Sequence, residues 1–144
     1  MNKVITVLVV LMIVGCANQP SLSTSEKNAQ YAQFIVENKL ESLDKIKGFR
    51  FNSWQSLTDD YLIISTSPKQ KYLLQVNGYC PDLTFSHSII LHQGMSSMLS
   101  AKFDSVSTTE QPQFKCFIKT IHKLDKQQSK TLSAIGKPMV DKAK

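Results

Sequence analysis

A chain of 144 residues with 42% apolar and 19% charged side chains has the length of one domain and the composition of a folded one. Its 17 basic and 11 acidic residues leave a net charge of +6, an excess too small and scattered to imply nucleic acid by itself. Five Gly and five Pro exclude collagen-like or low-complexity architecture, and three Cys exclude both a knottin-style scaffold and a four-thiolate zinc site built from this chain alone.

The chain opens with Met1-Asn2-Lys3, a short positive segment, followed by an apolar run from Val4 to Val14 in which Thr6 is the one polar member. As a helix these residues would reach about 16 Å, against about 30 Å of bilayer hydrocarbon. A charged start, a short apolar stretch and small residues after it read as a secretory signal, not a membrane span. At its end, Ile13-Val14-Gly15-Cys16 resembles the lipobox of bacterial lipoproteins. That resemblance implies diacylglyceryl transfer to the Cys16 sulfur, cleavage before Cys16 and acylation of the new amino terminus. Two or three acyl chains, at about 0.8 kcal/mol per buried methylene, hold a small domain on a membrane. Ala17 stands where lipoproteins kept at the inner membrane often carry Asp, which favours the outer membrane.

With Cys16 consumed by lipid, Cys80 and Cys116 have only each other as partners in an oxidising compartment. A bridge between them would close a loop of about 37 residues and stabilise the fold by roughly 3.8 kcal/mol. Two reduced buried thiols and a redox pair are the alternatives. Against redox chemistry, there is no CxxC spacing and neither Cys opens an evident helix.

After a polar tether, Ser23 and Glu26 have the spacing of a capping box, and Ala29, Ala32, Ile35/Val36, Leu40 and Leu43 recur at helical intervals. This predicts a helix over 25–43. From Ile46 the period changes to two. Strands are expected around Phe49–Trp54, over 61–66 and over 71–76, the last two forming a hairpin across Ser67-Pro68-Lys69-Gln70. Asn77-Gly78 ends it. Further strands are expected at 88–92 and 103–107, with 95–101 ambiguous. The clearest strand is 114–124. Strict alternation there puts Phe114, Cys116, Ile118, Thr120, His122 and Leu124 on one face, and Lys115, Lys119 and Lys123 on the other with Phe117 and Ile121. Residues 126–144 carry five Lys, one Asp and few large apolar groups, which predicts a disordered basic tail.

Phe51–Trp54, Asp59-Asp60, Lys71-Tyr72-Leu73-Leu74, Cys80-Pro81-Asp82-Leu83, Phe103-Asp104-Ser105-Val106 and Cys116-Phe117-Ile118 through Ile121 together resemble a group of small exported bacterial proteins, domain of unknown function 6491. The resemblance spans roughly residues 45–125. It implies a compact domain with Cys80 and Cys116 paired, and it supplies no activity, cofactor or partner.

No catalytic motif stands out. His87 and His92 are five apart and point to opposite faces of a continuous strand, so nothing in their spacing asks for a metal. Asp59-Asp60 are adjacent carboxylates, but neighbours before a strand diverge, and Asp serves turns. Ser65, Ser67 and Ser86 lack a GxSxG elbow, and Gly48, Gly78, Gly94 and Gly136 are too dispersed to cradle a phosphate. The row Lys115, Lys119, Lys123 and the basic tail could touch an anionic envelope surface, where each Lys contributes about 1 kcal/mol. Trp54, Tyr61 and Tyr72 could line a groove, although strands use such residues for packing.

These readings predict an α+β to mainly β domain. A small twisted antiparallel sheet or partly closed barrel of five to six strands packs against an N-terminal amphipathic helix. The expected division is a signal peptide over 1–15, a lipidated tether over 16–24, one globular domain over 25–125 and the tail over 126–144. The expected role is a lipid-anchored outer-membrane protein facing the periplasm. It binds or scaffolds, through its lipid at Cys16 and with another envelope protein or an anionic polymer, without catalytic residues, metal, cofactor or nucleic acid. The rival is a small envelope hydrolase or ligand-binding enzyme whose Asp59, Asp60, Asp104 or a His converge in a sheet-edge pocket.

Overall fold

The computed structural model of the protein describes residues 21–77 and 80–137. The described residues begin with helix α1 (Thr24–Glu37), continue through strands β1 (Ser42–Leu43), β2 (Lys45–Lys47), β3 (Ser53–Ser56), β4 (Tyr61–Ser67), β5 (Gln70–Asn77), β6 (Ile89–His92), β7 (Met98–Ser100), β8 (Ser105–Thr108) and β9 (Cys116–Leu124), and end with helix α2 (Lys126–Ala134).

The main sheet is antiparallel and curls into a half-barrel in the order β3-β4-β5-β9-β8-β6, with β1 added beside β9. β2 and β7 form a separate two-stranded sheet. Six strands in one curled path, mostly β, is the expected architecture in its coarse form. β4, β5 and β9 are rich in Ile, Leu, Val and Tyr, the side chains that suit a pleated surface. The hairpin of β4 and β5 turns at Pro68-Lys69 as expected, with a register shift between Ser65 and Ser67.

The sheet buries both faces. On the concave face Leu62, Ile64, Leu74, Val106, Ile118 and Ile121 pack under the β2–β7 flap, which contributes Ile46 and Leu99. On the convex face Tyr61, Ile63, Leu73 and Leu124 meet Tyr31 of α1 and Leu132 of α2. Each fully buried Leu or Ile contributes about 1.5–3 kcal/mol, so neither face is expendable.

The capping box forms: Ser23 Oγ accepts from the Glu26 amide, and the Glu26 carboxylate accepts from the Ser23 amide at 2.8 Å. The helix ends at Glu37, not at residue 43. Asn38 caps it, Lys39 takes a left-handed φ of +49°, and the Leu40 amide returns to the Ile35 carbonyl at 3.0 Å. Leu40 and Leu43 keep their apolar roles without helical backbone, the first on the convex core and the second on the concave one.

Two expectations need correction. Residues 126–134 are helix α2, not a disordered tail, so the globular domain extends past residue 125; Asp125 is the N-cap, accepting from the Gln128 amide at 2.7 Å, while Gln128 Oε1 accepts from the Asp125 amide at 2.9 Å. The sheet supplies most of the contact that docks this short helix: Leu132 is fully buried and Ile135, the C-cap, packs half-buried against the same core. Residues 138–144 of that stretch lie outside the described residues.

Strict alternation along residues 114–124 also fails. The register on β5 runs Val76 to Ile118 and then Gln75 to Thr120, so Lys119 is an extra residue in a β-bulge. Beyond it the parity switches. Ile121 joins Cys116 and Ile118 on the concave face, whereas Leu124 turns to the helices.

Candidate functional site

The acidic and histidine candidates for catalysis are dispersed and each serves the fold. Asp59 Oδ1 accepts from the amide and hydroxyl of Thr84 at 2.9 and 2.7 Å, fastening the 80–88 segment to the β3–β4 turn. Asp60 turns the other way, to the Asn28 side chain of α1, whose Oδ1 accepts from Thr58 Oγ1 at 2.7 Å. Asp104 is buried between loops and accepts from the amides of Gly94 and Ser100 at 3.0 and 2.6 Å. The pocket that a hydrolase reading requires is not assembled from these three residues.

The histidines do not converge either. His87 is exposed. His122 is buried and its Nδ1 lies 3.1 Å from the Glu41 carbonyl. It sits on the face opposite Ile118, because of the bulge. His92 Nε2 lies 2.8 Å from Ser107 Oγ, the distance of a nucleophile and its base, but that serine is only 2% exposed. A hydroxyl so buried is a satisfied interior group. Among the described residues no group of three metal-binding side chains converges. Tyr61 and Tyr72 are buried and Trp54 is half-buried, so they line the core rather than a groove.

Cys80 and Cys116 are joined in a disulfide with their Cα atoms 5.7 Å apart. It ties the start of the 80–88 segment to the first residue of β9. Cys16, the expected lipid attachment point, lies outside the described residues.

The expected lysine row is not one row. Lys115 precedes β9, Lys119 is the bulged residue, and Lys123 lies beyond the parity switch at the far end of the strand. What the fold assembles instead is a basic cleft at that far end. It is an open depression of about 620 Å³ lined by Lys39, Lys69, Lys123 and Lys126 together with Glu41 and Asp125. A smaller hollow of about 260 Å³ continues it past Pro68 to Lys71 and Lys130.

Local structure explains the gathering. The left-handed turn after α1 presents Lys39, and the β4–β5 turn presents Lys69. β9 hands Lys123 directly to α2, whose first two turns carry Lys126 and Lys130. Four separate segments thus place six ammonium groups around the amino-terminal end of α2, where the helix dipole adds positive potential. Of the two carboxylates, that of Asp125 is already committed to its cap. Such an arrangement attracts anions, and it holds no nucleophile poised beside a base. Of this group, sequence reading offers Lys123 by name as an anionic contact, and Lys126 and Lys130 only as part of the basic tail. It assigns Lys39 to a helix, Lys69 to a turn and Lys71 to a strand. The overlooked signal was the D-x-x-Q spacing from Asp125 to Gln128, which starts α2 and brings its lysines back to the sheet.

At the opposite end of the half-barrel the surface is different. Phe85 and Phe103 are 80% and 82% exposed, and Phe117 is 51% exposed. Glu110 sits nearby, its carboxylate held below the ordinary value by its own backbone amide and by the Ser86 hydroxyl at 2.9 Å.

Fold and surface together define a small disulfide-stapled half-barrel with a helical cover on its convex face. The chain belongs to the family described as "Family of unknown function (DUF6491)", which it matches over residues 1–135. The match is longer than the 45–125 segment that carried the resemblance, and it includes both helices. No curated protein and no solved structure matches the chain.

Proposed function

We propose that the protein is a lipid-anchored cell-envelope module that captures anionic polymers through the basic cleft. The observation that carries this reading is the convergence of Lys39, Lys69, Lys71, Lys123, Lys126 and Lys130 from four separate segments. The anchor rests on the amino-terminal pattern, a charged start, an apolar run and Ile13-Val14-Gly15-Cys16. With the lipid at Cys16 in the outer membrane, the cleft would serve the periplasmic side, where phosphate- and carboxylate-bearing polymers are the accessible polyanions. A binding or scaffolding role fits an open, lysine-lined depression better than turnover does.

The test is binding of the full chain to purified lipopolysaccharide and to inorganic polyphosphate at two salt concentrations. A Lys69→Glu/Lys126→Glu/Lys130→Glu variant is expected to lose on the order of 100-fold in affinity, about 1 kcal/mol for each lysine. The affinity of the parent chain should fall as salt rises. Equal binding by parent and variant would reject the cleft. A Cys16→Ser variant should leave the membrane fraction, and its retention there would reject the lipid anchor.

A further inference from the structure

The end of the half-barrel remote from the basic cleft carries the three most exposed phenylalanines, Phe85, Phe103 and Phe117, and both ends of the described chain. α1 begins there: Asn28, in its second turn, bonds to Asp60 in the β3–β4 turn. α2 returns there as well, since Lys27 of α1 lies against Gly136, just past the helix end. Phe117 pairs with Asn77 at the last rung of β5 and with Ser105 of β8. Phe103 is fixed beside it, because Ile118 accepts from the Lys102 amide and donates to the Asp104 carbonyl. Phe85 follows Thr84, which Asp59 holds at the same turn.

We infer that this end is a membrane-contact surface, with Phe85, Phe103 and Phe117 entering the headgroup–acyl boundary of a bilayer and Lys102, Lys115 and Lys119 meeting its phosphates. Two observations favour a bilayer over a protein. Exposed lysines sit beside them, the pairing of apolar body and cation that suits an interface. The carboxylates of this end are engaged by neighbours: Asp59 and Asp60, half-buried, accept from Thr84 and Asn28, and the exposed Asp82, Glu110 and Glu26 accept from Gln111, Ser86 and Ser23.

Chain length agrees. Residues 17–23 separate Cys16 from α1, and fully extended they reach at most about 25 Å, so an anchor at Cys16 delivers this end to the membrane before any other. The inference rests on the anchored reading and adds an orientation to it: phenylalanines down, basic cleft facing away.

Single tryptophans read it directly. In a Trp54→Phe background, Phe117→Trp and Phe85→Trp report on this end and Asn52→Trp on the other. Each full chain is reconstituted into vesicles of phosphatidylglycerol and phosphatidylethanolamine with brominated acyl chains. Several-fold stronger quenching at positions 117 and 85 than at 52 is expected. Equal quenching, or none at 117 and 85, overturns the inference. If Trp54→Phe loses the far-UV spectrum of the parent, the same difference is read with Trp54 retained.

Intact mass on the same sample separates the two readings. A chain without lipid at Cys16 rejects the anchor, and the quenching of its vesicle-bound fraction still decides the orientation. An empty vesicle-bound fraction overturns it. So does sedimentation showing a dimer in solution that Phe117→Ser dissolves, because a second copy would then occupy the surface.

Discussion

Among the described residues, one buried side-chain polar atom, Thr120 Oγ1, lacks a hydrogen-bond partner. Thr120→Val keeps the β-branched shape and removes the orphaned hydroxyl, so it should stabilise the protein by about 0.5–1.5 kcal/mol in urea denaturation. Asp104 is the converse case, buried with two amides donating to its carboxylate. Asp104→Asn sets an amide group against one of those donors and should cost about 1.5–3 kcal/mol by the same assay. Tyr31 and Tyr61 pack as a tilted pair on the convex core with ring centroids 5.3 Å apart, and burial pushes both phenols above their ordinary value, with the charge of Asp60 adding to the rise at Tyr61. A phenol bears charge only after losing its proton, so the folded chain holds these protons more tightly than the unfolded chain does. Their contribution is complete below about pH 10, the unfolded value, and is lost as pH climbs through the raised folded values. Ultraviolet titration should show two phenols ionising late and together with unfolding; ionisation of all tyrosines near pH 10 in a folded chain would contradict it.

Among the elements, α2 separates what composition predicts from what packing decides. Lysine counting makes residues 126–144 a tail, yet a cap at Asp125 and the packing of Leu132 and Ile135 dock the helix on the sheet. Leu132→Ala should therefore destabilise by about 2–5 kcal/mol, the range for emptying a core leucine site, and thermal denaturation would show it. A change of a few tenths would mean that the helix is dispensable. The hairpin of β4 and β5, the capping box at Ser23 and the divergence of Asp59 from Asp60 were all legible, because each depends on residues adjacent in sequence. The β9 parity switch was not. A bulge at Lys119 is chosen by the fit of two strands to two separate cores, which no local period records. The basic cleft was hidden for the same reason: its lysines belong to four segments that only the folded sheet brings together.

At the scale of the molecule, the disulfide closes a loop over a sequence separation of 36, and in the chain-entropy model such a closure contributes roughly 3.8 kcal/mol. A Cys80→Ala/Cys116→Ala variant should lose about that amount against denaturant, and an unchanged midpoint would show that the bridge constrains nothing. The larger consequence comes from the way β4, β5 and β9 send neighbouring residues to opposite sides, Leu62 and Leu74 to one core, Ile63 and Leu73 to the other. No strand of this central trio can peel from one core without dragging on its twin. The helical cover and the flap should hence melt as a single unit, with calorimetric and van't Hoff enthalpies in agreement.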